Sequence, residues 1–237
     1  MTNLSEKVLI KIEDRKKTTS KDLVGLAKAN KIQGAIGKLE ALRMIQKNNS
    51  GYQTTFSLTE RGQDYLDMKL TFLHLFHQKW DKRWRVFVFN VPEIKRKTRD
   101  KLRLYLNEYG FSMLKSSVWI TPFDIDKILQ KNPIIKSGKI STILFYANYD
   151  SKIDDILFTA LSSDKKAPAE ISNFIEESKK ITQMGDNVYQ RFNAKLLIFE
   201  YSDIIKKYGI LKYLSNGFSR LFGRADEYYY KLRKLIY

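Results

Sequence analysis

Three groups of residues have types and spacings that could do chemistry. Basic and amide side chains recur between residues 31 and 38, and five basic side chains cluster between residues 96 and 103. Both groups suit nucleic acid, because cationic side chains bind phosphates and amides bind base edges. His74 and His77 lie three residues apart, a spacing that could bring two imidazoles to one metal ion. No glutamate lies between them and no third carboxylate ligand lies nearby, so we interpret the pair as part of an amphipathic helix and predict no metal site.

The composition also favours a polyanionic partner. The 237 residues carry a formal net charge of +17, and the basic excess is greatest between residues 71 and 150. Such a distribution is typical of nucleic-acid binders, although a lysine-rich proteome would also place lysine on solvent-exposed faces. The chain has no cysteine, no signal-peptide core, no membrane-length apolar run and no glycine-rich phosphate loop. We expect a cytoplasmic protein without a cofactor and without membrane contact.

Helical periodicity organises the first 42 residues. Leu4, Val8 and Ile12 mark a first helix. Thr19 and Asp22 have capping-box spacing and predict a second helix, whose inward residues are Leu23, Val24 and Leu26. A third helix directs five apolar residues inward, namely Ile32, Ala35, Ile36, Leu39 and Leu42. Its outer face then carries Lys31, Gln33, Gly34, Gly37 and Lys38.

A hairpin and a further helix follow. Residues 44–47 and 52–58 read as its strands, and Asn48-Asn49-Ser50-Gly51 supplies the turn chemistry that a tight hairpin requires. Thr59 is placed to cap the next helix.

Three helices followed by a two-stranded wing resemble winged helix-turn-helix DNA-binding domains, and FSLTERGQDYL resembles their exit from the wing. The resemblance implies that the third helix enters the major groove while the wing tip, with Asn48 and Asn49, lies against phosphates. Gln33 and Lys38 are then candidates for base edges, and Lys31 and Lys47 for phosphates. Two exposed glycines in one helix indicate either close approach to the duplex or a loose helix. Winged helices also serve as protein–protein modules, so that alternative stays open.

The middle of the chain predicts an α+β unit. A connecting helix over residues 69–79, with Leu70, Leu73 and Phe76 inward, leads to a strand from Trp84 to Val91. Both faces of this strand are apolar, which predicts a central strand covered on both sides. A helix over residues 95–109 then turns Leu102, Tyr105, Leu106 and Tyr109 towards the sheet. Its outward side carries Arg96, Lys97, Arg99, Lys101 and Arg103, with only Asp100 against them.

The remaining order of elements indicates the architecture of this unit. Residues 112–120 form an extended stretch, a short helix follows Pro122, and residues 141–149 form another strand. Alternation of strand and helix with right-handed crossovers predicts a ferredoxin-like sandwich.

A more specific resemblance covers residues 79–149. The run WDKRWRVFVFNVPEIKRKTRDKLRLYLNEYGF, continued by SSVWITP, resembles the central domain of PaaX-type transcriptional regulators, which repress phenylacetate catabolism. That domain is in turn similar to the ferredoxin-like nuclease subunit of CRISPR spacer integration. In that subunit the first strand ends in an aspartate proposed to hold a divalent metal, whereas this chain has Asn90. An amide lacks the negative charge that anchors such a cation, so the resemblance implies a dimerisation domain and no catalytic residue.

Residues 151–237 predict a mainly helical region after a polar loop over 162–170. Ile171, Phe174 and Ile175 mark its first helix, and residues 194–201 are ambiguous between strand and helix. The terminal run SRLFGRADEYYYKLRKLIY suits an amphipathic helix with core aromatics, or nucleic-acid stacking. In PaaX-type regulators the C-terminal domain is helical and is implicated in sensing an acyl-CoA. This stretch matches that family poorly, so the identity of an effector does not carry over.

The sequence thus predicts a winged helix-turn-helix at 1–68, a connecting helix at 69–79, a ferredoxin-like domain at 80–150 and a mainly helical effector or interaction region at 151–237. We expect a homodimeric repressor that binds a near-palindromic operator in double-stranded DNA. The alternatives are a metal-dependent nuclease of the CRISPR type and a non-catalytic nucleic-acid scaffold related to it.

Overall fold

The computed structural model describes residues 3–50, 53–138, 140–148, 150–161, 166–185 and 188–236. They form a mixed α+β protein with two antiparallel sheets and a helical C-terminal region. The chain divides into two compact units. The first unit consists of Met1–Thr71, Phe174–Asp203 and Glu227–Tyr237, and the second consists of Phe72–Asn173 and Ile204–Asp226.

Two N-terminal elements begin at the predicted capping residues Thr19 and Thr59. In chain order they are α1 (Leu4–Arg15), β1 (Thr18–Thr19), a 3-10 helix (Ser20–Leu23), α2 (Ala29–Ala41), β2 (Ile45–Ser50), β3 (Gln53–Leu58) and α3 (Glu60–Phe76). Asn3 and Glu6 form a capping box at the start of α1, and the hydroxyl of Thr59 accepts the Gly62 N–H at the start of α3. The strands form an antiparallel sheet in the order β1-β3-β2.

The middle segment adds a four-stranded sheet with helices. Its elements are β4 (Arg83–Asn90), a 3-10 helix (Glu93–Lys95), α4 (Arg96–Glu108), β5 (Ser112–Lys115), β6 (Val118–Thr121), α5 (Asp126–Lys131), α6 (Pro133–Lys136), β7 (Ser141–Asn148) and α7 (Ser151–Leu161). The strand order is β5-β6-β4-β7 and every adjacent pair is antiparallel. The predicted central position of β4 is confirmed, because β6 and β7 pair with its two edges.

The C-terminal region is helical, as predicted. It contains α8 (Ala167–Thr182), α9 (Val188–Tyr208), α10 (Leu211–Leu214) and α11 (Asn216–Ile236). The ambiguous residues 194–201 lie within α9, where Ala194, Ile198 and Tyr201 are buried at helical spacing. In α11 the buried residues include Phe222 and Tyr229, so these aromatics belong to the core.

One hydrophobic cluster of the first unit joins its N-terminal helices to α9. α1 contributes Val8 and Ile12, α2 contributes Ile36, and α9 contributes Phe192 and Phe199. The N-terminal helices therefore bury part of their apolar surface against a helix more than 100 residues further along the chain.

Two predicted details of the first unit are wrong. The second helix is only the 3-10 helix Ser20–Leu23, since Gly25 has φ +99°, which no right-handed helix contains, and Val24 is 76% exposed. Leu42 lies beyond α2 and is exposed, because Arg43 adopts φ +55° and turns the chain there.

Three of the four residues predicted as the hairpin turn, Asn48, Asn49 and Ser50, belong to β2. Asn48 and Asn49 pair there with Thr55 and Thr54. The amide of Asn48 donates to the Ser57 hydroxyl at 3.0 Å, so these side chains support the strand pairing. Gly51 falls outside the described residues, as does Tyr52.

Residues 112–120 are two strands, where one was predicted. The chain reverses at Ser116 and Ser117, which places β5 and β6 as an antiparallel hairpin. The predicted polar loop at 162–170 is partly helical, since α8 starts at Ala167; residues 162–165 fall outside the described residues.

The coverage of β4 is also less complete than predicted. Phe87 and Phe89 are buried on one face, whereas Val86 and Val88 on the other are only half-buried. Part of this sheet face is therefore open.

Candidate nucleic-acid interface

The outer face of α2 is a continuous exposed surface. Lys31, Gln33, Gly34, Gly37 and Lys38 are all exposed, as the helical periodicity predicted. Four residues of the same helix, Ile32, Ala35, Ile36 and Leu39, are buried in the core of the first unit. This buried stripe fixes the rotation of α2, so the helix presents one amide side chain, two lysine side chains and two glycines to solvent.

The two glycines of α2 are not required by packing within the protein. A Cβ added at Gly34 or Gly37 would meet no heavy atom within 4 Å, and neither residue has positive φ. By contrast, a Cβ at Gly62 would lie 2.1 Å from the carbonyl oxygen of Met44. Gly62 therefore serves the fold, whereas Gly34 and Gly37 leave a smooth, narrow surface that an external partner could approach closely.

The hairpin adds a second exposed polar surface to the first unit. Lys47, Asn48 and Asn49 are exposed along β2. Thr54 donates from its hydroxyl to the Asn49 side-chain oxygen at 3.0 Å. The two asparagine side chains are thus ordered by the neighbouring strand, and Lys47 is the basic residue among these three.

A buried ionic network supports α1, against which α2 packs. The Lys69 ammonium donates to Glu6 at 2.6 Å and to Asp203 at 2.8 Å, and the Tyr65 hydroxyl also donates to Glu6. Burial alone would raise the pKa of Glu6, but attraction to Lys69 and the surrounding hydrogen bonds together lower it below its usual value. Burial alone would lower the pKa of Lys69, and its two carboxylate partners together raise it. The network joins α1, α3 and α9 within the first unit.

The basic side chains of α4 belong to the second unit and fall into two groups. Arg96, Lys97 and Lys101 are exposed. Arg99 is held by Glu93, with Nη1–Oε2 at 2.6 Å and Nη2–Oε1 at 3.2 Å. The prediction that only Asp100 opposes these cations is therefore wrong. Glu93 was missed because it lies before the helix, in the 3-10 helix that follows Pro92.

Arg99 and Arg103 line an open cleft at the end of β4. Its volume is about 540 Å³. The lining residues are Val88, Phe89, Asn90, Val91, Arg99, Arg103, Ser116, Ser117, Ser141 and Ile143. Arg103 donates to the Ser116 carbonyl oxygen at 2.9 Å, which ties α4 to the β5–β6 turn. The cleft is thus built around the strand end that carries Asn90.

Residues 77–155 match the family model described as the PaaX protein central Cas2-like domain. On the basis of this similarity, we call residues 77–155 the PaaX-type central domain. The resemblance predicted for residues 79–149 is thereby confirmed. One solved structure, an uncharacterized protein from Mycobacterium tuberculosis, aligns over 90% of this chain and 86% of that chain, with 15% sequence identity and a TM-score of 0.44. The search of curated proteins found no match.

In the PaaX-type central domain, Asn90 is exposed at the C-terminal end of β4 and pairs with Ser141 of β7.

Over the described ranges, no three His, Asp or Glu side chains come together in a way that could hold a metal ion. The half-buried His77 ring instead contacts the Leu73 carbonyl oxygen at 2.7 Å and the Asp226 carboxylate at 3.0 Å, while His74 is exposed. The two imidazoles therefore have different surroundings. No helix in the described ranges is both long and apolar enough to cross a membrane.

One ion pair of the PaaX-type central domain was missed by sequence reasoning. Arg85 lies in the middle of the apolar strand β4 and is 3% exposed. Its two terminal nitrogens each lie 2.8 Å from an Asp81 carboxylate oxygen, a bidentate pair that satisfies the buried charge. The interruption of an apolar strand by arginine, four residues after an aspartate, was the available signal.

Proposed function

We propose that this chain is a cytoplasmic, DNA-binding transcriptional repressor that binds a near-palindromic operator as a homodimer. The observation that carries the proposal is the exposed outer face of α2, with Lys31, Gln33, Gly34, Gly37 and Lys38, in a chain that also contains a PaaX-type central domain. Regulation of transcription is the activity of the family to which that domain belongs, and a rigid helix with amide and cationic side chains is suited to the major groove.

In this proposal residues 1–68 are a winged helix-turn-helix domain. The order of α1, a short 3-10 helix, α2 and the β2–β3 hairpin supports it. α2 is the recognition helix, with Gln33 and Lys38 directed to base edges and Lys31 to a phosphate. Lys47, Asn48 and Asn49 of the hairpin contact the backbone beside the groove, and the exposed cations of α4 add further phosphate contacts.

The central domain, residues 80–150, is proposed as a ferredoxin-like dimerisation domain. The strand order β5-β6-β4-β7, with α4 between β4 and β5, supports this topology. Its open sheet face carries Val86 paired with Phe145 and Val88 paired with Ile143, and the side chains of Ile143 and Phe145 are about half exposed. Large apolar side chains in neighbouring strands form a surface that a second copy would remove from water. Residues 69–79 connect the two domains, and residues 151–237 act as an effector or interaction region.

Phe145→Glu combined with Ile143→Lys is expected to convert a dimer to a monomer, because two charged side chains would have to lose their water at the interface. Sedimentation equilibrium measures the change in mass. Leu104→Glu is the matched control, since Leu104 is equally apolar and 66% exposed but lies on α4. A wild-type monomer, or an unchanged dimer in the double variant, would contradict the assignment.

Lys38→Ala is expected to reduce discrimination between the operator and random duplex by about 1–3 kcal/mol, because a base-edge contact is lost. Lys31→Ala is expected to weaken binding equally to both duplexes and to reduce the slope of log K against log salt by about one. The operator is first isolated by selecting bound sequences from a random pool, and fluorescence anisotropy then measures both duplexes across a salt series.

Equal losses for Lys38→Ala on both duplexes would contradict the base-edge role. Failure of the pool to yield any sequence preference would favour a scaffold. Cleavage of DNA or RNA with Mg²⁺ or Mn²⁺ that disappears in Asn90→Ala would overturn the repressor in favour of a nuclease.

A further inference from the structure

The cleft at the end of β4 has the chemistry of an anion site. Its polar lining consists of the Arg99 and Arg103 guanidinium groups, the Asn90 amide and the hydroxyls of Ser116, Ser117 and Ser141. No carboxylate is among these lining residues of the second unit. A nuclease of the expected type would need the reverse, a negatively charged cluster that attracts a metal cation.

The two arginines are held in place before any ligand arrives. They are four residues apart in α4 and so lie on one side of the helix. Arg103 is fixed through its bond to the Ser116 carbonyl oxygen, and Arg99 through its bidentate pair with Glu93. The Nε atoms of both are buried without a hydrogen-bond partner among the described residues. Each guanidinium is thus oriented while part of its donor capacity is unused.

The Arg99–Glu93 pair does not close the site. The Glu93 side chain is 72% exposed, and an ion pair with one partner in solvent contributes little stability. A phosphate carries more charge than one carboxylate, and it can accept bidentate hydrogen bonds from arginine. Glu93 therefore orients Arg99, and an anion that replaces Glu93 loses little free energy by breaking the exposed ion pair.

We propose that this cleft binds the phosphate group of a phosphorylated organic molecule. Its volume of about 540 Å³ exceeds that of a phosphate alone and falls in the usual range for small-molecule sites. Phe89 and Val91 supply apolar lining against which the organic part packs. The group can come from a free nucleotide-like molecule or from the 5′ end of a nucleic-acid strand. The proposal concerns the central domain alone and does not depend on DNA reading by α2.

The test uses the full-length protein and isothermal titration calorimetry. Adenosine monophosphate is the phosphorylated probe and adenosine is the probe without phosphate. We expect the first to bind and the second not to bind. Arg99→Gln combined with Arg103→Gln is expected to weaken binding by about tenfold or more, since hydrogen bonds to charged groups are lost. The matched control is Lys127→Gln with Lys131→Gln, which removes two exposed cations four residues apart on α5, outside the cleft.

A second pair of probes separates the two sources of phosphate. Oligonucleotides with and without a 5′ phosphate are titrated into the same variants. An arginine-dependent preference for the phosphorylated strand, without binding of adenosine monophosphate, identifies a nucleic-acid end; the opposite result identifies a small molecule. The proposal fails if neither phosphorylated probe binds more tightly than its unphosphorylated partner, or if the lysine control loses as much affinity as the arginine variant.

Asn90→Asp provides an independent variant whose side chain is nearly the same size. It introduces a carboxylate into the cleft lining, so we expect phosphate affinity to fall by about tenfold through like-charge repulsion. Unchanged affinity in Asn90→Asp would contradict a phosphate position beside the strand end. Loss of DNA binding in α2 variants with retained adenosine monophosphate binding would separate this proposal from the proposed repressor function.

Discussion

Replacement of Lys69 by methionine is expected to lower the free energy of unfolding by about 3–5 kcal/mol at neutral pH, the usual cost of removing one partner from a buried ion pair. Lys69 is 4% exposed and its ammonium lies between Glu6 and Asp203. Methionine fills a similar volume, so the principal loss is electrostatic: the Glu6 carboxylate stays buried without its counter-ion. Urea denaturation followed by circular dichroism measures the change. Lys127→Met, at an exposed position of α5, is the control and should change stability by less than about 0.5 kcal/mol.

The pH dependence of this loss has a definite sign. In the wild type the pKa of Glu6 is held below its ordinary value of 4.5. The stability that the carboxylate contributes is therefore present above pH 4.5 and is lost as the pH falls through the lower, folded-state pKa. In Lys69→Met, burial raises the pKa of Glu6. Acid then protonates the carboxyl group, which removes the free-energy cost of burying an unpaired negative charge. The difference in free energy of unfolding between the wild type and Lys69→Met should narrow as the pH falls from 7 towards 4. A gap below about 1 kcal/mol at pH 7, or one independent of pH, would show that the network is not a buried electrostatic unit.

Gly34→Ala combined with Gly37→Ala is expected to have opposite effects on stability and DNA binding. Each substitution should stabilise α2 by about 0.5–1 kcal/mol, because alanine loses less backbone entropy in a helix and its Cβ meets no atom of this protein. Operator affinity should fall by about tenfold, since two methyl groups then lie where α2 approaches the duplex and overpacking costs about 1–3 kcal/mol. Thermal denaturation and fluorescence anisotropy measure the two effects.

Gly223→Ala is the matched control for the glycine pair. Gly223 is exposed within α11, and a Cβ added there also meets no atom within 4 Å. This variant should gain stability and retain full operator affinity. If the double variant in α2 binds the operator as tightly as wild type, close approach of α2 to DNA is contradicted. If it loses stability, the glycines serve the fold of α2 and not an external partner.

The periodicity of apolar residues predicted which faces of α1 and α2 are buried and which are exposed. The apolar spacing of Leu4, Val8 and Ile12 predicted α1, and the stripe through Ile32 and Leu39 predicted the rotation of α2. These predictions held because one buried stripe determines which side of a helix reaches solvent. The predicted second helix did not form, because Gly25 at positive φ ends the 3-10 helix after a single turn. The exposed sites on α2 were therefore accessible to sequence reasoning.

The sequence of the central domain predicted the central position of β4 but not the division of residues 112–120 into two strands. Ser112–Lys115 and Val118–Thr121 both have apolar residues, and only the reversal at Ser116 and Ser117 separates them. Short strands with a two-residue turn resemble one longer strand when periodicity is the only signal. The exposed cations of α4 were predicted from spacing, but the division between solvent-facing Lys97 and cleft-lining Arg99 depends on the strand end that α4 packs beside.

By itself the sequence determined the positive charge, the order of helices and strands, the outer face of α2 and the PaaX-type character of residues 77–155. These properties depend on composition, on local periodicity and on a contiguous run of residues. The tertiary structure alone decided that Glu6, Lys69 and Asp203 share one buried network, and that residues 174–203 belong to the same compact unit as residues 1–71. It likewise decided that Asn90 lies beside two arginines. Such groupings join residues that are far apart in the chain. Their partners are selected by burial against the rest of the fold, and no local sequence pattern records that burial.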